Sequence, residues 1–290
     1  MTDRYHFELG DVAFQLRETH DFRWLEELGR VFAVFDRQDS GNISFGVERR
    51  GEKFFVKYAG ARTLAYSGDV QAAVATLRSA VLLYHELRHP SLISLVHHFG
   101  VGSGYAAVFE WFEGESLHPH WSFPPPAKYT HPDSPYYRYR QLPLKRRFES
   151  LDRIFSFHEF VEASGFVAVD FYDGSLIYDF EKHEMLICDV DLYQKKPYVN
   201  PMGRLWGSSR FMSPEEFELG APIDERTNVF TMGATAFALV GGELDRTMEK
   251  WEAGEALYNV ALRAVRQDRK TRFQSVKEFK SAWDSALHNE

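Results

Sequence analysis

The segment 227–240 constrains the fold of this chain more than any other stretch, because it is apolar almost all round. A helix without a polar face has to be buried on every side. The segment is too short, and its apolar run too interrupted, for a membrane span. Gly241 and Gly242 follow it, and glycine often ends helices at their C-termini. The sequence therefore predicts a helix at the centre of a large core.

Composition narrows the class of protein. The chain has 290 residues, of which 44% are hydrophobic and 16% aromatic, enough for one large domain or two lobes. A formal net charge of −8 argues against nonspecific nucleic-acid binding. Cys188 is the single cysteine, so no internal disulfide can form, which suits a reducing cytosol. Neither a signal-peptide pattern nor a membrane-spanning apolar run is found, and we expect a cytoplasmic protein.

Hydrophobic periodicity predicts strands in the first third of the chain and helices in most of the rest. Apolar runs at 31–35 and 54–57 predict two strands around a turn, and 95–100 and 105–110 predict two more. Between these pairs, 69–88 has one apolar stripe at helical spacing, with Asp69 placed to cap it. The pattern indicates an α+β fold.

Several short motifs, in order along the chain, resemble those of eukaryotic-like serine/threonine protein kinases. They are F-F-V-K at 54–57 for V-A-I-K, H-P-S-L-I at 89–93 for H-P-N-I-V, V-D-F-Y-D-G-S at 169–175 for R-D-L-K-P-x-N, C-D-V-D at 188–191 around D-F-G, S-P-E at 213–215 for A-P-E, and N-V-F-T-M-G at 228–233 for D-V-Y-S-L-G. The resemblance covers nearly the whole chain. It implies a bilobal protein-kinase-like fold, with a small β-rich lobe and a large, mostly helical lobe.

On this resemblance the chain divides into an N-terminal extension at 1–26, a small lobe at 27–110 and a large lobe at 111–290. Apolar residues of the extension suggest that it packs on the body. The segment 118–147 departs from the family as an insertion rich in aromatic residues and holding more than half of the 12 prolines. It lacks helix or strand periodicity. We expect its aromatic residues to pack on the lobe, and a partner or substrate surface is the alternative.

In the small lobe, the resemblance implies a nucleotide site. Gly41 and Ser44 take places in the glycine-rich loop, which keeps one of the family's three glycines and is also similar to the loop of aminoglycoside-phosphotransferase-like kinases. Lys57 would contact the α- and β-phosphates of ATP, although a lysine that ends a strand is ordinarily an edge charge. Backbone groups of Glu110 and Phe112 would face the adenine edge.

In the large lobe, the resemblance implies the residues of phosphoryl transfer. Asp170 would orient the hydroxyl nucleophile and accept its proton. Asp189 would hold Mg²⁺, and Ser175, in the place of the family's asparagine, would be a second metal ligand. Glu215 and Arg272 would form a structural ion pair.

Three further places depart from the family pattern. Ala80 stands where the family has the glutamate that pairs with the strand lysine, Val169 where it has an arginine, and Asp191 where it has the glycine of D-F-G. The partner of Lys57 is therefore Asp189, Asp191 or absent. Without the arginine, the usual coupling to a phosphorylated activation loop is not expected.

The sequence thus predicts ATP- and Mg²⁺-dependent phosphoryl transfer to a serine or threonine hydroxyl. Ser208, in the place of a threonine that contacts the catalytic aspartate, favours that specificity. Two alternatives stay open: a pseudokinase or scaffold module with little turnover, and a small-molecule kinase. We expect a protein substrate or partner, with a small-molecule acceptor still open, and neither a nucleic-acid partner nor a membrane span.

Overall fold

A computed structural model describes residues 4–288 and has both strands and helices throughout, so the α+β class is confirmed. The chain divides into two compact units. The described residues of the first unit are 4–88 and 93–113, and those of the second are 89–92 and 114–288. In the described part of the chain, no helix is both long and apolar enough to cross a membrane.

The first unit is built on an antiparallel sheet of five strands and one long helix. Its elements are β1 (Tyr5–Leu9), β2 (Val12–Leu16), α1 (Trp24–Leu28), β3 (Arg30–Phe35), β4 (Asn42–Arg49), β5 (Glu52–Ala59), α2 (Val70–Glu86), β6 (Leu95–Val101) and β7 (Gly104–Glu110). The five-stranded sheet has the order β3-β4-β5-β7-β6, and β1 and β2 form a separate hairpin. The four predicted strands and the helix are all present, and the Asp69 side chain accepts a hydrogen bond from the Gln71 N–H.

The two faces of this sheet are covered by different parts of the unit. On one face, Phe14, Leu16, Phe22 and Leu25 of the N-terminal segment are buried in one cluster with sheet residues such as Phe45. The predicted packing of this segment on the body is therefore confirmed. Against the other face α2 packs on β5 and β7, with the Tyr84 ring edge-on to Phe109 at 4.8 Å.

The second unit is mostly helical and carries several short strand pairs. Its elements are β8 (Glu115–Ser116), α3 (Ala127–Thr130), α4 (Pro135–Arg140), α5 (Leu144–Ala163), β9 (Phe166–Val167), β10 (Leu176–Asp179), β11 (Glu184–Ile187), β12 (Gln194–Lys195), β13 (Tyr198–Val199), β14 (Pro222–Ile223), α6 (Glu225–Val240), α7 (Glu255–Ala264) and α8 (Val276–His288). Strand β10 lies between β11 and β8, β12 pairs with β9, and β13 pairs with β14.

Helix α6 is the centre of the second unit. Every residue from Thr227 to Val240 is buried, and α5, α7 and α8 all pack against this helix. The Asp224 side chain caps its N-terminus by accepting from the Arg226 N–H, and Gly241 ends it. The buried helix predicted from the apolar segment is therefore confirmed, and its burial on all sides explains why the segment has no polar face.

The segment 118–147 contains the short helices α3 and α4 and the first turn of α5, although its sequence lacks helical periodicity. Prolines mask the helical signal because Pro135 occupies the first turn of α4, where a missing N–H costs nothing. The segment packs on the end of α6: the Tyr136 hydroxyl donates to the Ala238 carbonyl at 2.6 Å. The expected packing is confirmed for Tyr136 and Tyr139, which are buried, but not for Trp121, which is 51% exposed.

Candidate functional site

Lys57 and Ser44 are buried and face one another across two neighbouring strands of the first unit. Lys57 is 7% exposed and Ser44 is fully buried, and the two residues are direct partners in the register of β4 and β5. Among residues 4–288, the Ser44 Oγ has no hydrogen-bond partner. Since a buried hydroxyl without a partner costs about 1–3 kcal/mol, such a group indicates a place where a ligand or water completes the bonding.

The loop before β4 is shaped by Gly41. Its φ of +83° lies in the left-handed region, and a Cβ added there would be 2.7 Å from the Ala73 Cβ of α2. Glycine is therefore required both by the backbone conformation and by the close approach of the loop to the helix. Asn42, the next residue, is buried, and its Nδ2 donates to the Ser40 Oγ at 3.2 Å.

An aromatic cluster, made of Phe32, Phe35, Phe55 and Trp111, lies on the face of the sheet that carries Lys57. Phe55 is two residues before Lys57 on β5, so both side chains point to the same face. The ring centroids of Phe35 and Phe55 are 5.7 Å apart, and those of Phe32 and Trp111 are 4.9 Å apart. The sequence analysis missed this cluster, although the alternation of Phe55 and Lys57 would have indicated it.

Glu110 and Phe112, the residues expected at the adenine edge, lie at the end of the first unit. Glu110 closes β7, and its N–H already donates to the Ser94 carbonyl at 2.9 Å. Phe112 follows the strand and is half-buried. On this geometry the Glu110 N–H is committed within the unit, which leaves the carbonyl of Glu110 and the backbone of Phe112 as the groups for the predicted contact.

In the second unit, Asp170 has a φ of +66° and follows a stretch that is fastened to α6. The Ala168 N–H donates to the Asn228 Oδ1 at 2.8 Å, and the Asn228 Nδ2 donates to the Phe166 carbonyl at 3.4 Å. Aspartate is among the few residues that tolerate the left-handed region. Asn228 is fully buried, so the turn that presents Asp170 is anchored in the core.

Ser175 and Asp189 lie on adjacent chain segments. The Cys188 N–H donates to the Ser175 carbonyl at 2.9 Å, which brings the serine beside the residue that precedes Asp189. Asp189 is exposed, whereas Ser175 is 1% exposed. Within residues 4–288, no group of three histidine, cysteine or acidic side chains could hold a metal by itself. Mg²⁺ commonly takes one or two carboxylates and completes its shell with phosphates and water, so Asp189 and Ser175 fit a nucleotide-bound Mg²⁺.

A buried histidine–tyrosine pair lies beneath the acidic residues of the second unit. The His158 Nδ1 is 2.8 Å from the Ile154 carbonyl and so carries the proton, and the Tyr193 hydroxyl therefore donates to the His158 Nε2, also at 2.8 Å. Burial lowers the pKa of His158 to about 4. Burial, together with the negative charges of Asp189 and Asp170, raises the pKa of Tyr193 well above its usual value.

The charges of Asp189 and Asp170 both act on the Tyr193 hydroxyl, so the two predicted catalytic-site carboxylates of the second unit lie in its neighbourhood. The neutral histidine–tyrosine pair thus supports the segment between 170 and 189 from the core. The sequence analysis did not single out this pair, because His158 reads there as one more residue on the buried face of a helix.

Asp173 is the centre of a second feature that the sequence analysis missed. This fully buried carboxylate accepts two hydrogen bonds from Arg210, at 2.7 and 3.0 Å, and one from the buried Lys128, at 2.5 Å. Single charged residues ordinarily lie on the surface, so no local pattern indicates that these three meet.

The predicted structural ion pair of Glu215 and Arg272 is present and buried. The two guanidinium nitrogens of Arg272 donate to the two carboxylate oxygens of Glu215 at 2.7 and 3.0 Å. Val169 and Ala80, which depart from the family pattern, are both buried apolar residues.

The predicted site residues therefore fall into two groups: Gly41, Ser44, Lys57, Glu110 and Phe112 belong to the first unit, and Asp170, Ser175 and Asp189 to the second. The Ser44 hydroxyl, which lacks a partner among residues 4–288, suits a phosphate oxygen, and the exposed carboxylate of Asp189 suits a metal ion. Comparison with protein-family models finds no match, and no curated protein is significantly similar in sequence. The kinase resemblance consequently stays a prediction that rests on the motifs.

Proposed function

We propose that the chain is an ATP- and Mg²⁺-dependent phosphotransferase of the protein-kinase type, with a serine or threonine hydroxyl as acceptor. The observation that carries the proposal is the buried Ser44 hydroxyl, which lacks a hydrogen-bond partner within residues 4–288 and stands beside Lys57 in the register of β4 and β5. Such a hydroxyl is a ready donor to an anion. The positive charge of the neighbouring ammonium group favours an anion at the same place. Phosphate oxygens suit this pair.

In this function the first unit binds the nucleotide. Lys57 neutralises charge on the α- and β-phosphates, and Ser44 donates to a phosphate oxygen. Gly41 allows the backbone of the loop to approach the phosphates, since its positive φ turns the chain where a side chain would collide with α2. The carbonyl of Glu110 and the backbone of Phe112 recognise the edge of the adenine ring.

The second unit supplies the groups that act on the acceptor. Asp170 accepts the proton of the attacking hydroxyl, and its anchored turn fixes the direction in which the carboxylate points. Asp189 and Ser175 would hold Mg²⁺, which when bound neutralises the charge that develops on the transferred group. Kinase catalysis is mostly positioning and charge stabilisation, so these few groups can suffice.

The first test is the effect of ATP on thermal stability, with and without Mg²⁺. A ligand that binds only the folded state stabilises it, by about 2.7 kcal/mol at a hundredfold excess over Kd. We expect ATP to raise the Tm of the wild type, Lys57→Met and Ser44→Ala to reduce the shift, and Asp189→Asn to remove its Mg²⁺-dependent part. Lys53→Met is the matched control, because Lys53 lies on the same strand and is 40% exposed. No shift at saturating ATP would refute the proposal.

A second candidate, a pseudokinase or scaffold module with little turnover, is favoured by Ala80. This residue is fully buried on α2 at the place where the family pairs a glutamate with the lysine. The two candidates differ in transfer rather than in binding. ATP-dependent stabilisation without phosphorylation of any protein acceptor or small hydroxyl compound would favour the second.

A further inference from the structure

Four separate chain segments meet at the Asp173 carboxylate. Besides Arg210 and Lys128, the His118 Nδ1 lies 3.2 Å from it. Glu243 joins from the segment after α6: its carboxylate accepts from Arg210 at 2.8 Å and from Lys128 at 3.5 Å. We call Asp173, Arg210, Lys128 and Glu243 the ionic cluster. Its two acids and two bases balance in charge.

The ionic cluster is largely buried, and its central group, Asp173, is charged. Asp173 is fully buried and Lys128 is 1% exposed. Burial alone would raise the pKa of Asp173, but the hydrogen bonds from His118 and Arg210 and the charge of Lys128 outweigh it and hold that pKa well below its usual value. The carboxylate therefore remains an anion. Two-point arginine–carboxylate pairs are both strong and specific in direction.

The ionic cluster lies beside Asp170. Asp173 is three residues after Asp170 and two before Ser175, in the same turn. Arg210 belongs to the segment 207–212, which lies against the same turn. A Cβ added to Gly207, whose φ is +135°, would be 3.5 Å from the Asp170 Cα. The bond between Arg210 and Asp173 thus fastens the segment that carries Ser208 and Ser209 to the turn that presents Asp170.

Lys128 brings the segment 118–147 into this arrangement. Its backbone carbonyl accepts from the Ser134 hydroxyl at 2.7 Å, and its ammonium group lies 4.1 Å from the centre of the Tyr136 ring. The Tyr129 hydroxyl adds a bond to Glu243 at 3.0 Å. The proline-rich insertion therefore supplies a fixed cation rather than only apolar packing.

We propose that Asp173, Arg210 and Lys128 are positioning residues that hold the segment 207–212 against Asp170 without phosphorylation. A phosphorylated side chain orders a loop by binding arginine through charged oxygens. Here the buried carboxylate of Asp173 already occupies Arg210 in this way. The site is then assembled in the unmodified chain, and a phosphate on Ser208 or Ser209 is not needed. The inference concerns the regulation of the site in the proposed function and rests on that function.

The test compares Arg210→Lys with the wild type before and after phosphatase treatment, by hydrogen–deuterium exchange and by phosphoryl transfer. The lysine keeps the charge but loses the two-point bond. We expect the amides of 207–212 to exchange at least tenfold faster in Arg210→Lys, with exchange in α6 unchanged. We also expect kcat to fall at least tenfold, with KM for ATP within twofold of the wild type. Arg153→Lys is the matched control, because Arg153 forms an exposed pair with Glu184 in the same unit.

The phosphatase-treated wild type should keep both its slow exchange and its activity. If the amides of 207–212 exchange as slowly in Arg210→Lys as in the wild type, the inference is overturned. Faster exchange of these amides in the wild type after phosphatase treatment would overturn it as well. Asp173→Asn, which removes the charge of the carboxylate and keeps its shape, gives a second variant should Arg210→Lys fold poorly. If the wild type transfers no phosphate at all, the proposed function fails, and the exchange experiment still decides whether the ionic cluster orders the segment.

Discussion

Glu215 and Arg272, which are 57 residues apart in sequence, form a buried two-point ion pair. The Thr227 hydroxyl adds a third hydrogen bond to the same carboxylate at 2.9 Å, and it comes from the first turn of α6. Burial would raise the pKa of Glu215, but the bonds from Arg272 lower it below its usual value. The pair therefore ties the segment before α6 to the segment before α8 through the core.

Replacing Glu215 by glutamine should destabilise the protein by about 3–5 kcal/mol, because Arg272 would keep its charge in a buried place without a counter-charge. Urea denaturation measures the change. Arg153→Gln, which breaks an exposed pair, should change the free energy of unfolding by about 1 kcal/mol or less. Equal losses in the two variants would contradict the interpretation.

Asn228 should not tolerate alanine. Asn228→Ala leaves the buried Ala168 N–H without its acceptor, and a loss of about 1–3 kcal/mol is expected. Thermal unfolding of the variant and the wild type measures the change. If the alanine variant is as stable as the wild type, the anchoring of the Asp170 turn by Asn228 is wrong.

Glu216 should make stability fall as the pH rises from about 4.5 to about 7. Burial raises the pKa of this carboxyl to about 7 from its usual 4.5, against hydrogen bonds from the Ser213 N–H and hydroxyl at 2.6 and 2.9 Å. The folded state then binds a proton that the unfolded state has released, so the contribution is present below pH 4.5 and lost as the pH passes 7. Its size is up to about 3 kcal/mol.

Glu216→Gln keeps an acceptor oxygen but cannot ionise, so it should flatten this part of the stability profile. Unfolding by urea at several pH values between 4.5 and 7.5 measures the slope for both proteins. Glu162, whose pKa burial also raises to about 7, contributes a slope of the same sign that remains in the variant. An unchanged slope in Glu216→Gln would show that Glu216 is not the titrating group.

The parts of the structure that the sequence predicted are those that leave a periodic or local signal. Helix α6 is apolar on every face, and the apolar run at 54–57 lies within β5. The S-x-x-E pattern at 275–278 is typical of a reciprocal cap, and only half of it forms: the Ser275 hydroxyl accepts from the Glu278 N–H, while the Glu278 side chain accepts from the Gln274 N–H. Reciprocal caps do form between Ser213 and Glu216 and between Asp224 and Thr227.

The parts that the sequence did not predict depend on long-range pairing of charges. Lys128 is 45 residues from Asp173 and 115 from Glu243, and nothing in its local sequence separates it from a surface lysine. A charged residue is buried only when distant partners compensate it, and spacing along the chain carries no record of those partners. The contact of Tyr193 with His158 could not be predicted either, because it joins residues that are 35 apart in sequence.

The most direct test of the proposed function is transfer of the γ-phosphate of ATP to a serine- and threonine-containing peptide library by the wild type and Asp170→Asn. We expect Mg²⁺-dependent transfer by the wild type. The Asp170→Asn variant should transfer phosphate about 10²- to 10⁴-fold more slowly and should still be stabilised by ATP. Asp133→Asn, a change at an exposed aspartate of the same unit, should transfer normally. Equal transfer by Asp170→Asn and the wild type, or ATP binding by the wild type without transfer to any acceptor, would contradict it.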